Sequence, residues 1–212
     1  MKSSIDATAI SRAIHFGTAT LHEAMGRKGA LPHRIKPISP RMKLAGPAVT
    51  VSSPPMDNLM LHQAIYAAKP GSIVVAEVNR GYEGGYWGEL MTIAAQQRNI
   101  SGLMIDGCVS DADLIEQLGF PVFSRGLSVR GTDKQGGGHI NWPIVLGDIT
   151  VNPGDLVVGD RDGVIVIPAA EISSTLEAAK KREAKEEQTK RDLIAGKSTL
   201  AIYGWPSAKL NS

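Results

Sequence analysis

Cysteine is nearly absent from this chain: Cys108 is the only one among 212 residues, so no internal disulfide can form. A reducing, cytoplasmic setting is therefore expected. Charge of one sign is also lacking. The formal net charge is +2, with lysine and arginine spread along the chain, which argues against nucleic acid or a membrane surface as the main partner. No apolar run approaches the ~20 residues needed to cross a bilayer, and Met1-Lys2-Ser3-Ser4-Ile5-Asp6 lacks a hydrophobic signal region. Internal repeats and low-complexity segments are missing too. The glycine-rich Gly136-Gly137-Gly138-His139 has no following lysine and no P-loop frame, so it reads as a flexible connection or lid.

What is present is material for one buried core, since 42% of the residues are hydrophobic. Residues 1–212 are expected to form a single domain. Ser11 to Met25 suggests a helix broken near Gly17-Thr18. Ala48 to Ser52 alternates like a strand, Asp57 or Asn58 can cap a helix to about Ala68, and Ser72 to Val78 reads as a strand. Four β-rich runs between Ile144 and Ile167 are separated by compact Gly, Pro and Asp turns. A long amphipathic helix from Ala169 to Ala195, closed by Gly196, is too polar on most faces to be buried alone and is expected to reach toward a neighbouring subunit.

Chemistry concentrates in two segments. Gly84-Gly85-Tyr86-Trp87-Gly88-Glu89-Leu90-Met91 is a glycine-rich turn that opens a helix, because Leu90, Met91, Ala94 and Ala95 follow at helical spacing. A helix start presents unpaired amides that favour an anion. The second segment, Asp106-Gly107-Cys108-Val109-Ser110-Asp111, follows the apolar strand Gly102 to Ile105. Helix and strand together bring Glu89 and Asp111 into one neighbourhood. Two carboxylates beside an amide nest repel each other unless a cation or a shared proton neutralises them, and an all-oxygen set suits Mg2+ or Mn2+ better than zinc. A purely architectural alternative fits the same residues. Ser110 can cap a helix from Asp111 to Leu118, with Asp113 completing a capping box and Gly119 closing the far end. Cys108 reads as a small buried filler, and Asp160-Arg161-Asp162-Gly163 reads first as a turn.

Gly88-Glu89-Leu90-Met91, Asp106 to Asp111, Gly119 to Phe123, Val151 to Val158 and Asp160 to Val164 together resemble the family named for regulator of ribonuclease E activity A. That family also holds the 4-hydroxy-4-methyl-2-oxoglutarate and 4-carboxy-4-hydroxy-2-oxoadipate aldolases. The resemblance covers nearly the whole chain. It implies an α/β fold, a layered α/β/β sandwich with a swivelling-domain-like β core and terminal helices, assembled as homotrimers or homohexamers with sites between subunits. It also implies that a small carboxylate substrate rests on the amides of Gly88, Leu90 and Met91. Asp111 is implied as the divalent-metal ligand, Glu89 as the acid near the metal, and a glutamate of the neighbouring C-terminal helix, placed at Glu186 with Glu187 and Glu183 as fallbacks, as the third group.

The family's aldolases carry an aspartate, a twenty-residue spacer, then Arg-Asp; here the positions hold Glu89, residues 90 to 109, then Ser110-Asp111. The arginine stabilises charge growing on the keto oxygen, and a serine cannot supply that cation. Loss of one such donor typically costs ~100- to 1000-fold in turnover. Arg80, Arg125 or Arg130 could substitute from a loop. The leading expectation is a metal-dependent lyase that performs retro-aldol cleavage or decarboxylation of a small 2-oxo acid, with Glu89, Ser110 and Asp111 as the catalytic set. Two alternatives stand beside it. One is a non-catalytic regulator that binds a partner protein, and the other is a pocket reshaped by Ser110, Tyr86 and Trp87 for a substrate without the pyruvyl keto group.

Overall fold

The strand Leu44–Ser52 organises the molecule because it belongs to both halves of the sheet. The computed structural model describes residues 5–208. In chain order its elements are α1 (Ala7–Ala24), β1 (Lys36–Pro37), β2 (Leu44–Ser52), α2 (Leu59–Ala67), β3 (Ile73–Glu77), α3 (Glu89–Gln97), β4 (Gly102–Ile105), β5 (Cys108–Val109), α4 (Ala112–Gln117), β6 (Val122–Ser124) and β7 (Gly126–Leu127). Then come β8 (His139–Ile140), β9 (Ile144–Leu146), β10 (Ile149–Val151), β11 (Leu156–Asp160), β12 (Gly163–Ile167), a 3-10 turn at Ala169–Glu171, α5 (Ile172–Ile194) and α6 (Thr199–Tyr203).

The main sheet has eight strands in the order β1-β6-β4-β3-β2-β11-β12, with β8 added to β2. From β2 through β3, β4 and β6 the strands are parallel, joined by helical crossovers. On its other side β2 meets β11 antiparallel through Leu44 to Pro47, and β11 turns back into β12 through the Asp160 to Gly163 hairpin. The sheet nearly closes on itself. Leu31 N donates to Val164 O at one edge, and a few residues later Lys36 and Pro37 pair with Ser124 and Phe123 at the other. Both edges are thereby covered, which removes the templates for edge-to-edge association.

Strands β3 and β4 read as continuous apolar runs because both faces are covered, and every residue from Ile73 to Ala76 and from Leu103 to Ile105 is buried. One core lies under α2, α3 and α4. A second forms where Ala13 and Leu21 of α1 meet Leu176 and Ala179 of α5 over Val158 and Ile165. Only the first half of α5 is packed in this way; beyond Ala179 it carries no buried residue. The expected C-terminal helix therefore begins with a 3-10 turn, and α6 is an element the sequence pattern had not indicated. The expected lid at Gly131 to Asn141 is tied down: Asp57 accepts from Gln135 N and Gly136 N, and Ile140 pairs with Val51.

The break in α1 has a visible cause. Gly17 takes φ 73°, ψ 166°, and the chain restarts its helix on the Asp160 carboxylate, which accepts from Thr18 N at 2.8 Å and from Thr18 Oγ1 at 2.7 Å. Asp160 is thus an N-cap supplied from a distant hairpin, and it also accepts from Asp162 N at 2.9 Å. Replacing an N-cap acceptor typically costs ~0.5–2 kcal/mol. Asp160→Ala is expected to lose about that much in a urea titration with an unchanged slope, and wild-type stability in this variant would contradict the capping role.

Candidate active site

Three short segments run side by side and set the site. Tyr86 N donates to Cys108 O at 3.0 Å, Cys108 N to Tyr82 O at 3.1 Å, and Ser110 N to Trp87 O at 2.8 Å. The third segment joins through β5–β7 pairing and the bond from Ser128 N to Val109 O at 2.9 Å. The glycine-rich turn and the Asp106 to Asp111 loop are therefore held as neighbours by backbone bonds, independent of side-chain chemistry.

Asp111 ends this run in the left-handed region at φ 55°, a conformation aspartate tolerates better than most residues. The turn swings its carboxylate away from its own helix and onto the next one. Asp111 is the residue preceding α4, yet its side chain makes no bond there; Oδ2 instead accepts from Glu89 N, the first amide of α3, at 3.0 Å. The architectural expectation is corrected by this geometry. Ser110 is not the N-cap of α4, its hydroxyl lies 3.4 Å from Trp87 O, and α4 spans Ala112–Gln117, closed by Gly119 at φ 68°. A Cβ at Gly88 would collide with Asp111 Oδ2 and push that carboxylate off the Glu89 amide.

The amides of Glu89, Leu90 and Met91 precede the first intrahelical bond, which runs from Thr92 N to Gly88 O at 3.1 Å. Asp111 takes the first, and the other two have no acceptor among the described residues. One carboxylate thus already sits at the positive end of α3 where an external anion was expected alone. Asp111 is exposed, Glu89 half-buried, Leu90 exposed and Met91 buried.

An open cleft of ≈ 570 Å³ lies against Asp111, lined by Ser110, Asp111, Asp113, Leu114, Leu127 and Val129 among others. Gly88 to Met91 do not line it directly, and Asp111 forms the link between cleft and helix start. Among the described residues no lysine, arginine or histidine lines it. The three candidate arginines lie elsewhere. Arg125 is paired with Asp106, Arg130 with Glu83, and Arg80 faces a different cleft. Glu186 sits on α5, in an ion pair with Arg182 at 2.8 Å. Among the described residues no three His, Cys, Asp or Glu side chains converge within the chain.

Tyr86 and Trp87 do not shape the cleft, contrary to expectation; they are 0% and 1% exposed and belong to the scaffold. Tyr86 Oη donates to Gly81 O and accepts from Met56 N, each at 2.7 Å, and burial raises its pKa. Trp87 Nε1 donates to Thr92 Oγ1 at 2.8 Å. Cys108 is half-buried, not the fully buried filler expected, and desolvation pushes its thiol up, which disfavours a thiolate nucleophile. His139 is stacked on Trp142, with centroids 4.6 Å apart.

A residue the sequence reading treated only as a cap supports the site from beneath. Asn58, 5% exposed, donates from Nδ2 to Tyr86 O at 2.9 Å and leaves Oδ1 without a partner. Beside it Asp57 accepts from Leu59 N at 2.9 Å and Gly136 N at 3.1 Å. Burial alone would raise the Asp57 pKa, but these amides and Lys134 outweigh it and hold the carboxyl below its ordinary value. A depressed folded pKa contributes stability that is present above the unfolded value and lost as pH falls through the folded one. Asp57→Asn is expected to be less stable than wild type at neutral pH, with the gap closing as pH drops below about 4; a gap constant from pH 7 to pH 2.5 in denaturant titrations would contradict this.

Residues 18–166 match the family model described as RraA-like, Aldolase/RraA. A protein of Halalkalibacterium halodurans named "Putative 4-hydroxy-4-methyl-2-oxoglutarate aldolase" is 35% identical over 186 residues, covering 88% of this chain and 89% of its own. A crystal structure of a Pseudomonas syringae protein aligns with TM-score 0.81 at 28% identity, covering 93% of each chain. The RNA-processing inhibitor RraA from Thermus thermophilis aligns with TM-score 0.65 at 20% identity over 71% of this chain and 92% of its own, a likeness of fold.

Proposed function

The chain belongs to the Aldolase/RraA family, and from that membership and the Asp111 geometry we propose that it is a divalent-metal-dependent lyase cleaving a small 2-oxo acid by retro-aldol reaction or decarboxylation. The observation that carries this reading is the exposed Asp111, a lining residue of the cleft whose carboxylate is anchored through Oδ2 on the Glu89 amide while Oδ1 has no hydrogen-bond partner among the described residues. With Asp113 in the lining, Glu89 alongside and no cation of this chain in it, the cleft requires positive charge from outside. Its oxygen donors fit Mg2+ or Mn2+, which are commonly bound by one or two carboxylates and retain several waters. Such an ion would supply Lewis acidity toward the keto and carboxylate oxygens of the substrate.

The chain's own residues would do the rest. The free amides of Leu90 and Met91 would hold the substrate carboxylate at the helix start. Glu89 would move a proton, directly or through a water, to the carbon freed by bond cleavage. Ser110 would offer a neutral hydrogen bond where the family's aldolases place an arginine, so catalysis of pyruvyl chemistry is weakened by about the value of one charged donor.

A second copy of the chain completes the site in this reading. Leu114, Leu127 and Val129 line the cleft while 40%, 60% and 99% exposed, and Leu90 at the start of α3 is 79% exposed, apolar surface that a neighbouring protomer would cover. The unpacked half of α5, with Ile194 88% exposed, would carry Glu186 to that neighbour's cleft, in a homotrimer or homohexamer. A cytoplasmic location fits the single cysteine, and among the described residues no helix is long and apolar enough to cross a membrane.

The lack of an arginine in the cleft favours one alternative, a non-catalytic regulator that captures a partner protein. The two are separated by assaying pyruvate release from oxaloacetate and from a 4-hydroxy-2-oxo acid with Mg2+ or Mn2+. Metal-dependent release, reduced at least ~100-fold in Asp111→Ala and raised in Ser110→Arg, is the expected outcome. No release from either substrate by the native protein or by Ser110→Arg defeats the lyase reading.

A further inference from the structure

A second cleft, ≈ 300 Å³ and polar, opens where the parallel strands end, lined by Glu77, Arg80, Tyr82, Asp106, Arg125 and Val145 among others. Its lining shares no residue with the Asp111 cleft. The carboxyl ends of parallel strands are where α/β sheets bind ligands, because the crossovers there leave a crevice. Glu77 closes β3, Asp106 follows β4 and Arg125 follows β6, so three adjacent strands contribute charge to one place.

Two arginines line it, Arg80 exposed and Arg125 half-buried against Tyr82. Arg125 has a side chain only 16% exposed and lies 3.7 Å from the centroid of the Tyr82 ring. Its Nε and Nη2 donate to Asp106 at 2.5 and 3.2 Å, while Nη1 has no acceptor among the described residues. A fork fixed on one side by a carboxylate and on its face by an aromatic ring presents its remaining edge with little entropy left to lose. Arg80 enters no ion pair among the described residues. It follows Asn79 in a left-handed pair, φ 47° and 67°, which costs energy in non-glycine residues.

Glu77 holds that turn in place. Its Oε2 accepts from Asn79 N at 3.1 Å and its Oε1 from Ser52 Oγ at 2.5 Å, so both oxygens are engaged away from a ligand. The four charged side chains sum to zero, which disfavours a dianion and leaves room for a single negative charge against the two free guanidinium edges.

We propose that this cleft binds a small monocarboxylate, its oxygens between Arg80 and Nη1 of Arg125 and its carbon skeleton against Val78 and Val145. The site is separate from the Asp111 cleft, and its existence does not depend on the lyase reading. The test is an NMR titration of the full chain with sodium lactate and, in parallel, with inorganic phosphate, following backbone amides and arginine Nε signals. Three proteins are compared: native, Arg80→Gly, which suits the left-handed turn and removes the charge, and Asp111→Ala. Lactate is expected to shift residues 77–82 and Arg125 Nε in the native protein and in Asp111→Ala with equal affinity, and at least ~10-fold more weakly in Arg80→Gly. Unchanged affinity in Arg80→Gly, loss of binding in Asp111→Ala, absence of lactate-dependent shifts at those residues, or tighter binding of phosphate than lactate would each overturn the proposal.

Discussion

One carboxylate resting on the first amide of a neighbouring helix ties the candidate site together. Asp111 reaches Glu89 N across the gap between two loops, and both loops are brought there by backbone pairing rather than by their side chains. A carboxylate at a helix N-terminus is favoured by the unpaired amides and by the helix dipole. The same contact leaves Oδ1 of Asp111 without a hydrogen-bond partner among the described residues, in a residue that lines the cleft. In the proposed function capping and ligand binding are two uses of one residue, and a side chain at position 88 would displace the Asp111 carboxylate from the Glu89 amide.

The scaffold explains why this arrangement is rigid. Tyr86 and Trp87 look like pocket residues in the sequence because they stand between glycines beside Glu89. In the fold they point inward, where Tyr86 locks the turn through Gly81 and Met56 and Trp87 locks the first turn of α3 through Thr92. Asn58 adds a buried bond to Tyr86 O. The glycines let backbone segments approach closely, the two aromatics fill the volume beneath, and only Ser110 and Asp111 are left facing outward at the loop's end.

Much of the fold was legible in the sequence because its strands carry unambiguous patterns. Ile73 to Glu77 and Gly102 to Ile105 are short apolar runs bounded by turn residues, and the Asp160 hairpin announces itself by composition. The break in α1 at Gly17 was visible too, although its cap, Asp160, is distant in sequence and no local rule could supply it. That Ser110 and Asp111 lie beside Glu89 was legible, but their geometry at the α4 start was not. A left-handed residue at position 111 redirects the side chain to another helix, and a capping rule assumes the residue serves its own. The positions of Arg125 and Arg130 depend on tertiary pairing with Asp106 and Glu83, partners that sequence spacing does not reveal. Glu186 belongs to the half of α5 that this chain alone does not pack.

The account rests on Asp111 holding a hard cation at the start of α3, and paramagnetic broadening by Mn2+ tests that directly. In the account's favour, trace Mn2+ would broaden the amides of Glu89, Leu90 and Ser110 to Asp113 before all others, and Asp111→Asn would abolish the effect. Broadening centred on the Asp160 hairpin or on the second half of α5 alone, or a pattern unchanged in Asp111→Asn, would contradict it.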